Sequence, residues 1–199
     1  MIRSNVYDHW DMLPKIVREY YTKKVLIIGS ESTGKSVLSQ NLANYFCTNY
    51  LEEVGRELSI LSGTDEMMLA QDFTQILLEH KLKELKAIES CNKVLIEDTD
   101  CLITKFFIDY LKEPEAQKNS LLAKAIAQIN SYDLILFLEP DVKFVFDGDR
   151  SKDIADNRVK ISQQIKDIYK DNGFSFVEIS GTYNERFEKA KQLILELFN

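Results

Sequence analysis

Glycine and proline are scarce: seven and three in 199 residues. Hydrophobic residues make up 45%. That balance excludes a disordered or low-complexity chain and implies a globular one. Basic charge is in deficit, with a net charge of −7. A general polyanion-binding surface is therefore excluded, nucleic acid is not expected as a partner, and any bound phosphate must meet a local cluster of Lys and Arg. The three cysteines, Cys47, Cys91 and Cys101, are odd in number, widely spaced and without a CxxC pair, as expected for reduced thiols in a cytoplasmic protein. No apolar run approaches a membrane span, and the start MIRSNVYDHW lacks the apolar core of a signal peptide, so the chain is not expected to be membrane-embedded. The single tryptophan, Trp10, lies near the N-terminus, where an aromatic ring usually anchors a terminal arm. With no repeat or linker, one domain is expected: a helical arm over residues 1–22 and a core over residues 23–199.

What is present is a phosphate-binding signature. Val25, Leu26, Ile27 and Ile28 read as a buried strand. Gly29-Ser30-Glu31-Ser32-Thr33-Gly34-Lys35-Ser36 then fits G-x-x-x-x-G-K-[ST] at every fixed position. The glycines let the backbone curl so that successive N–H groups, through Val37, point at phosphate oxygens. The helix that begins near Lys35 adds its positive end. Lys35 brings a point charge to the β- and γ-phosphates of ATP, and the Ser36 hydroxyl is a Mg²⁺ ligand.

Further along, a second strand ends near Glu52 and Glu53, with a turn at Gly55 before Arg56. Strand ends face the ligand crevice of a doubly wound sheet, so Glu53 and Arg56 stand where a substrate could sit, or else form a surface ion pair. A long helix is expected from Gly63–Glu66 to about Ser90, with Leu69, Phe73, Ile76, Leu78, Leu82, Leu85 and Ile88 as its apolar stripe and His80 as a structural histidine. Val94–Glu97 runs into Asp98, Thr99 and Asp100, an apolar strand ending in acids. Asp98 is the expected partner of Ser36 at Mg²⁺, and Asp100 either joins it or caps the next helix. Leu134–Leu138 is another buried strand. Arg150 and Arg158 follow it, suited to a lid that closes on a transferring phosphate, or to a solvated helix face. A last strand ends at Ile179, and Phe187, Ala190, Ile194 and Leu197 mark the final helix. The expected fold is α/β: a three-layer P-loop NTPase with about five parallel strands, helices on both faces and a lid.

Neither an N-K-x-D motif nor a D-x-x-G switch occurs, against a GTPase, and Glu53-Val54-Gly55-Arg56-Glu57 departs from a thymidylate kinase pattern. The chain resembles the ribosylnicotinamide kinase domain of the NadR family. The likeness runs through GSESTGKS with its Glu31, Glu53-x-Gly55-Arg56, Asp98-Thr99-Asp100, Phe144–Arg150 with Arg158, and Tyr183-Asn184-Glu185-Arg186-Phe187. The adenylyltransferase and helix-turn-helix domains that many family members carry have no counterpart here, so neither activity is expected.

The resemblance implies ATP- and Mg²⁺-dependent phosphorylation of nicotinamide riboside to nicotinamide mononucleotide. Lys35 and the loop amides would hold the phosphates, and Arg150 and Arg158 would close over them. The proton acceptor would be Asp98, Asp100 or Glu53. Arg56 and Asp147 would contact ribose or nicotinamide, and Phe144, which replaces a tryptophan common in the family, would stack on the base. The alternatives are a nucleotide-responsive regulatory switch with a functional link to a riboside transporter, and a P-loop kinase of another nucleoside. Oligomeric state is open.

Overall fold

The computed structural model describes residues 5–55, 70–112, 116–145 and 155–199. Helix α1 (Lys15–Tyr21) leads into β1 (Lys23–Ile28), followed by α2 (Lys35–Phe46), β2 (Tyr50–Leu51), α3 (Ala70–Ile88), β3 (Val94–Asp98), α4 (Cys101–Leu111), α5 (Ala116–Ile129), β4 (Leu134–Leu138), α6 (Arg158–Asp171), β5 (Val177–Ile179) and α7 (Tyr183–Glu196). The sheet is all parallel in the order β2-β3-β1-β4-β5.

Strand β1 sits at the centre because it can be buried on both sides. Val25, Leu26, Ile27 and Ile28 are fully inaccessible, each stabilising the fold by roughly 1.5–3 kcal/mol relative to exposure. The two-residue period of a strand sends alternate side chains to opposite faces. Leu26 and Ile28 join the core under α3, α4, α5 and α6. Val25 and Ile27 join Leu38 and Leu42 of α2 and Ala190 and Ile194 of α7. Right-handed crossovers account for the split, since the chain travels toward one edge through α2 and back toward the other through α3 to α6. It leaves β1 and β4 in opposite directions, which opens a crevice at their C-terminal ends.

The N-terminal arm is tied down by a short 3₁₀ segment, Tyr7–Met12. Trp10 is buried, Tyr7 packs on Phe198 with ring centroids 4.9 Å apart, and Asn5 Nδ2 donates to the Phe198 carbonyl.

Helix α3 departs from the expected stripe. Phe73, Ile76 and Leu77 are buried, but so are His80 and Glu84, while Leu78, Leu82 and Leu85 are exposed. Leu69 lies outside the described residues. The charged side chains turn inward because partners await them. Glu84 accepts from Lys24 Nζ at 2.7 Å and Lys81 Nζ at 2.8 Å. Burial raises its pKa, but these ammonium groups outweigh that and hold it low. Lys81 continues to Asn130, Asn130 to the Tyr132 hydroxyl, and Tyr132 to Asp100.

Glu97 of β3 sits beside this chain without joining it. It is fully buried, and neither carboxylate oxygen accepts a hydrogen bond among the described residues. Burial, and then the nearby Glu84 charge, push its pKa up to about 8. An unfolded chain releases this proton near 4.5 and the folded one near 8. Between those values the folded state holds a proton that the unfolded state has lost, so stability falls as pH rises across the window. Glu97→Gln is expected to flatten that slope and to raise stability near pH 8. Urea melts across the window check this; an unchanged slope would refute a protonated Glu97.

Candidate functional site

The loop between β1 and α2 takes a conformation that depends on its two glycines. Gly29 has φ +150° and Gly34 φ +86°, both in the region that favours glycine. A Cβ on Gly34 would come within 2.6 Å of the Tyr183 ring, and one on Gly29 within 2.7 Å of the Leu138 carbonyl oxygen. Ser32 also has positive φ, 56°. Thr33, fully buried, turns its hydroxyl onto the Ser30 carbonyl at 2.9 Å, and Lys35 Nζ donates to the same oxygen at 3.1 Å. Ser36 and Val37 lie in the first turn of α2.

Two buried arginines hold this loop from outside. Arg158, at the start of α6, donates from Nε to the Glu31 carbonyl (3.1 Å), from Nη2 to the Ser32 carbonyl (2.8 Å) and from Nη1 to the Val142 carbonyl (2.6 Å). Arg186 of α7 donates to the Thr33, Glu139 and Gly181 carbonyls at 2.8–2.9 Å, and pairs with Asp141. Three successive loop carbonyls are thus drawn outward. Because a trans peptide points its C=O and N–H in opposite directions, the amides of Ser32, Thr33 and Gly34 are turned the other way, into the loop. The Ser162 hydroxyl of α6 adds a bond to Ser30 at 2.9 Å, and Val145 N donates to Ser32 Oγ at 2.8 Å.

Arg158 therefore supports the loop rather than standing free over it. Its guanidinium also lies over the Phe144 ring, 5.6 Å from the centroid, so that ring is part of the same buttress. Arg186 carried no expected role. Its signal was its place one helical turn before Ala190 and two before Ile194, on the buried face of α7. A capping box, in which Thr182 and Glu185 exchange side-chain and backbone hydrogen bonds, fixes that helix start.

The acids sit one strand away. Ile27 of β1 is in register with Asp98 of β3, and Thr99 N donates to the Ile27 carbonyl. Asp98 is buried at this strand end. Asp100 takes the capping role: its side chain accepts from Leu102 N at 2.8 Å, from the Tyr169 hydroxyl at 2.5 Å and from the Tyr132 hydroxyl at 3.0 Å. Burial, with the Asp100 charge behind it, holds both phenols well above their usual pKa, so they remain donors. Glu53, half-buried, follows β2, whose Leu51 pairs with Glu97. His80 is buried close to Glu53, Thr99 and Asp100; burial lowers its pKa despite those charges and keeps the ring neutral. Ser36 and Asp98 offer the hard oxygen donors that suit Mg²⁺. Arg56, Asp147 and Arg150 lie outside the described residues.

Comparison with known proteins places this geometry. A family described as an AAA domain, AAA_28, matches residues 24–186. The trifunctional NAD biosynthesis/regulator protein NadR of Salmonella typhimurium is 31% identical over 199 residues, covering 98% of this chain and 48% of that protein; the chain spans about half the length of the curated relatives it matches. Among solved structures, a NadR protein in complex with NR superposes with a TM-score of 0.87 at 21% identity, covering 99% of this chain and 57% of that one. A NadR protein in complex with NAD and AMP-PNP gives 0.83 at 21% identity, with 99% and 55% covered. These likenesses establish the fold, an α/β P-loop architecture with a five-stranded parallel sheet. No helix among the described residues is long and apolar enough to cross a membrane.

Removing the Arg158 guanidinium frees two loop carbonyls at once. Arg158→Ala is expected to weaken binding of an ATP analogue by about 10–100-fold, the range found when groups supporting a site are lost. The thermal midpoint should change much less, since α6 keeps Ile161, Ile165 and Tyr169 in the core. Titration calorimetry with an unfolding melt tests this; unchanged nucleotide affinity would refute the buttress.

Proposed function

Because the chain belongs to the AAA-domain family AAA_28, with a P-loop pre-formed at the end of β1, we propose that it is a kinase that uses ATP to phosphorylate nicotinamide riboside, giving nicotinamide mononucleotide and ADP. The observation that carries this reading is the superposition of 99% of the chain on a NadR protein bound to NR, at a TM-score of 0.87. We read NR as nicotinamide riboside. The sequence likeness to the NAD biosynthesis protein NadR supports the same choice, and AMP-PNP in a similar structure supports ATP as donor.

In the proposed reaction the loop amides and Lys35 hold the β- and γ-phosphates, where they neutralise charge as the phosphoryl group moves. Ser36 and Asp98 would hold Mg²⁺, which shields phosphate charge when bound. The riboside 5′-oxygen forms a bond to the γ-phosphorus as the bond to the β–γ bridging oxygen breaks, and its proton passes to a carboxylate. We assign that proton to Glu53: Asp100 has both oxygens committed to Leu102, Tyr132 and Tyr169, and Asp98 is given to the metal. Arg56, Asp147 and Arg150 are assigned to the riboside and the transferring phosphate, and Phe144 to the nicotinamide side. The acidic chain suits a cationic pyridinium substrate, with net charge −7. A cytoplasmic setting fits this chemistry.

Purified protein is expected to release ADP with nicotinamide riboside and far more slowly with uridine, cytidine or deoxynucleosides. Equal turnover of another nucleoside would overturn the substrate assignment. Lys35→Ala should lower kcat by roughly 10²-fold or more with the fold retained, and Glu53→Gln should lower kcat more than it changes KM.

A further inference from the structure

Helix α3 faces its leucines outward. Leu78, Leu82 and Leu85 are 50%, 57% and 52% exposed, on the helix that buries His80 and Glu84. Their spacing of four and then three residues is that of a coiled-coil seam, and it places all three on one stripe. The stripe is continued by Gln75 and Gln71 in one direction and by Glu89 in the other. On one flank, Glu79 follows Leu78 and Lys86 follows Leu85. On the other lies α5, which runs parallel to α3: Thr74 bonds to Asn119 and Lys81 to Asn130. Its last residue, Ile129, is 70% exposed. Isolated exposed leucines are ordinary, but three in register on a helix that internalises charge form a face suited to a partner.

We propose that this face is a homodimer interface, in which α3 packs antiparallel on α3 of a second copy about a two-fold axis near Leu82. The flanking charges select both the occupant and the direction. In the antiparallel arrangement Glu79, three residues before the axis, comes alongside Lys86 of the second copy, four residues after it, and the two-fold repeats the pair. A parallel pairing would set the flank bearing Glu79 and Lys86 against the partner's opposite flank, which carries Thr74 and Lys81, and the two charges would not meet. Lys86 is exposed, and among the described residues Glu79 accepts from Gln75 of its own helix, at 2.7 Å, and from no lysine or arginine, so both can reach across. The contact is self-complementary and closes at two subunits. It lies on the exposed face of α3, opposite His80 and Glu84, and does not depend on which substrate the site takes.

Sedimentation velocity of the full chain from about 1 to 100 µM, a range suited to a small interface, is expected to show a dimer. Leu82→Glu should leave a monomer with unchanged circular dichroism. Glu79→Arg should weaken the dimer by about tenfold, roughly 1.4 kcal/mol, and Glu79→Arg with Lys86→Glu in the same chain should restore it. A wild-type monomer throughout that range would overturn the proposal, as would a dimer indifferent to Leu82→Glu or a double charge swap that fails to restore association.

Discussion

Two guanidinium groups hold the phosphate-binding loop in place. Arg158 and Arg186 come from different helices, on opposite faces of the sheet, and meet three consecutive carbonyls at Glu31, Ser32 and Thr33. Each also reaches the segment after β4, through Val142, Glu139 and Asp141. Guanidinium suits this task because its donors project in a rigid plane and can serve several acceptors at once. Neither group is fully exposed to water: Arg186 is 1% accessible and Arg158 8%. Buried charge is tolerable here because the guanidinium nitrogens face carbonyl oxygens. The loop is thereby preorganised, and a preorganised anion site need not spend ligand-binding energy on ordering itself.

This constraint links the elements into one unit. Helix α6 carries Arg158 and Ser162 toward the loop and Tyr169 toward Asp100. Asp100 in turn starts α4 and receives Tyr132. A displacement of α6 would therefore be felt at the loop and at the strand end that bears Asp98. From Tyr132 the polar chain runs on through Asn130, Lys81 and Glu84 to Lys24 at the base of β1. Such a network is stable only while its members remain paired; Glu97 beside it has no hydrogen-bond partner among the described residues, and burial with the Glu84 charge pushes its pKa up to about 8.

The same economy explains α3. A helix over a sheet has one inward face, and here that face is partly spent on His80 and Glu84. The leucines displaced from it had to go elsewhere. Periodicity alone reads Phe73, Ile76, Leu78, Leu82 and Leu85 as one stripe, because hydrophobic spacing cannot reveal that Lys24 of β1 waits beneath the helix for a carboxylate, with Lys81 of the helix itself as second partner.

The loop motif, the central strand, the strand-end acids and the α/β class were all legible in the chain, since each depends on local spacing: a glycine pattern, a run of β-branched residues, an acid after a strand. The role of Asp100 is legible only as a choice between cap and site; the bond from Leu102 N makes it a cap, and two distant hydroxyls, of Tyr132 and Tyr169, take up its remaining acceptor capacity. Spacing offers Arg158 either to a lid over the phosphate or to a solvated helix face, and offers no role for Arg186. Both turned out to bind loop carbonyls more than 120 residues away in sequence. Sequence thus determined that a phosphate-binding loop exists and which residues form it. Tertiary structure decided what holds it open, because backbone carbonyls carry no sequence signature and only folding reveals which side chain reaches them.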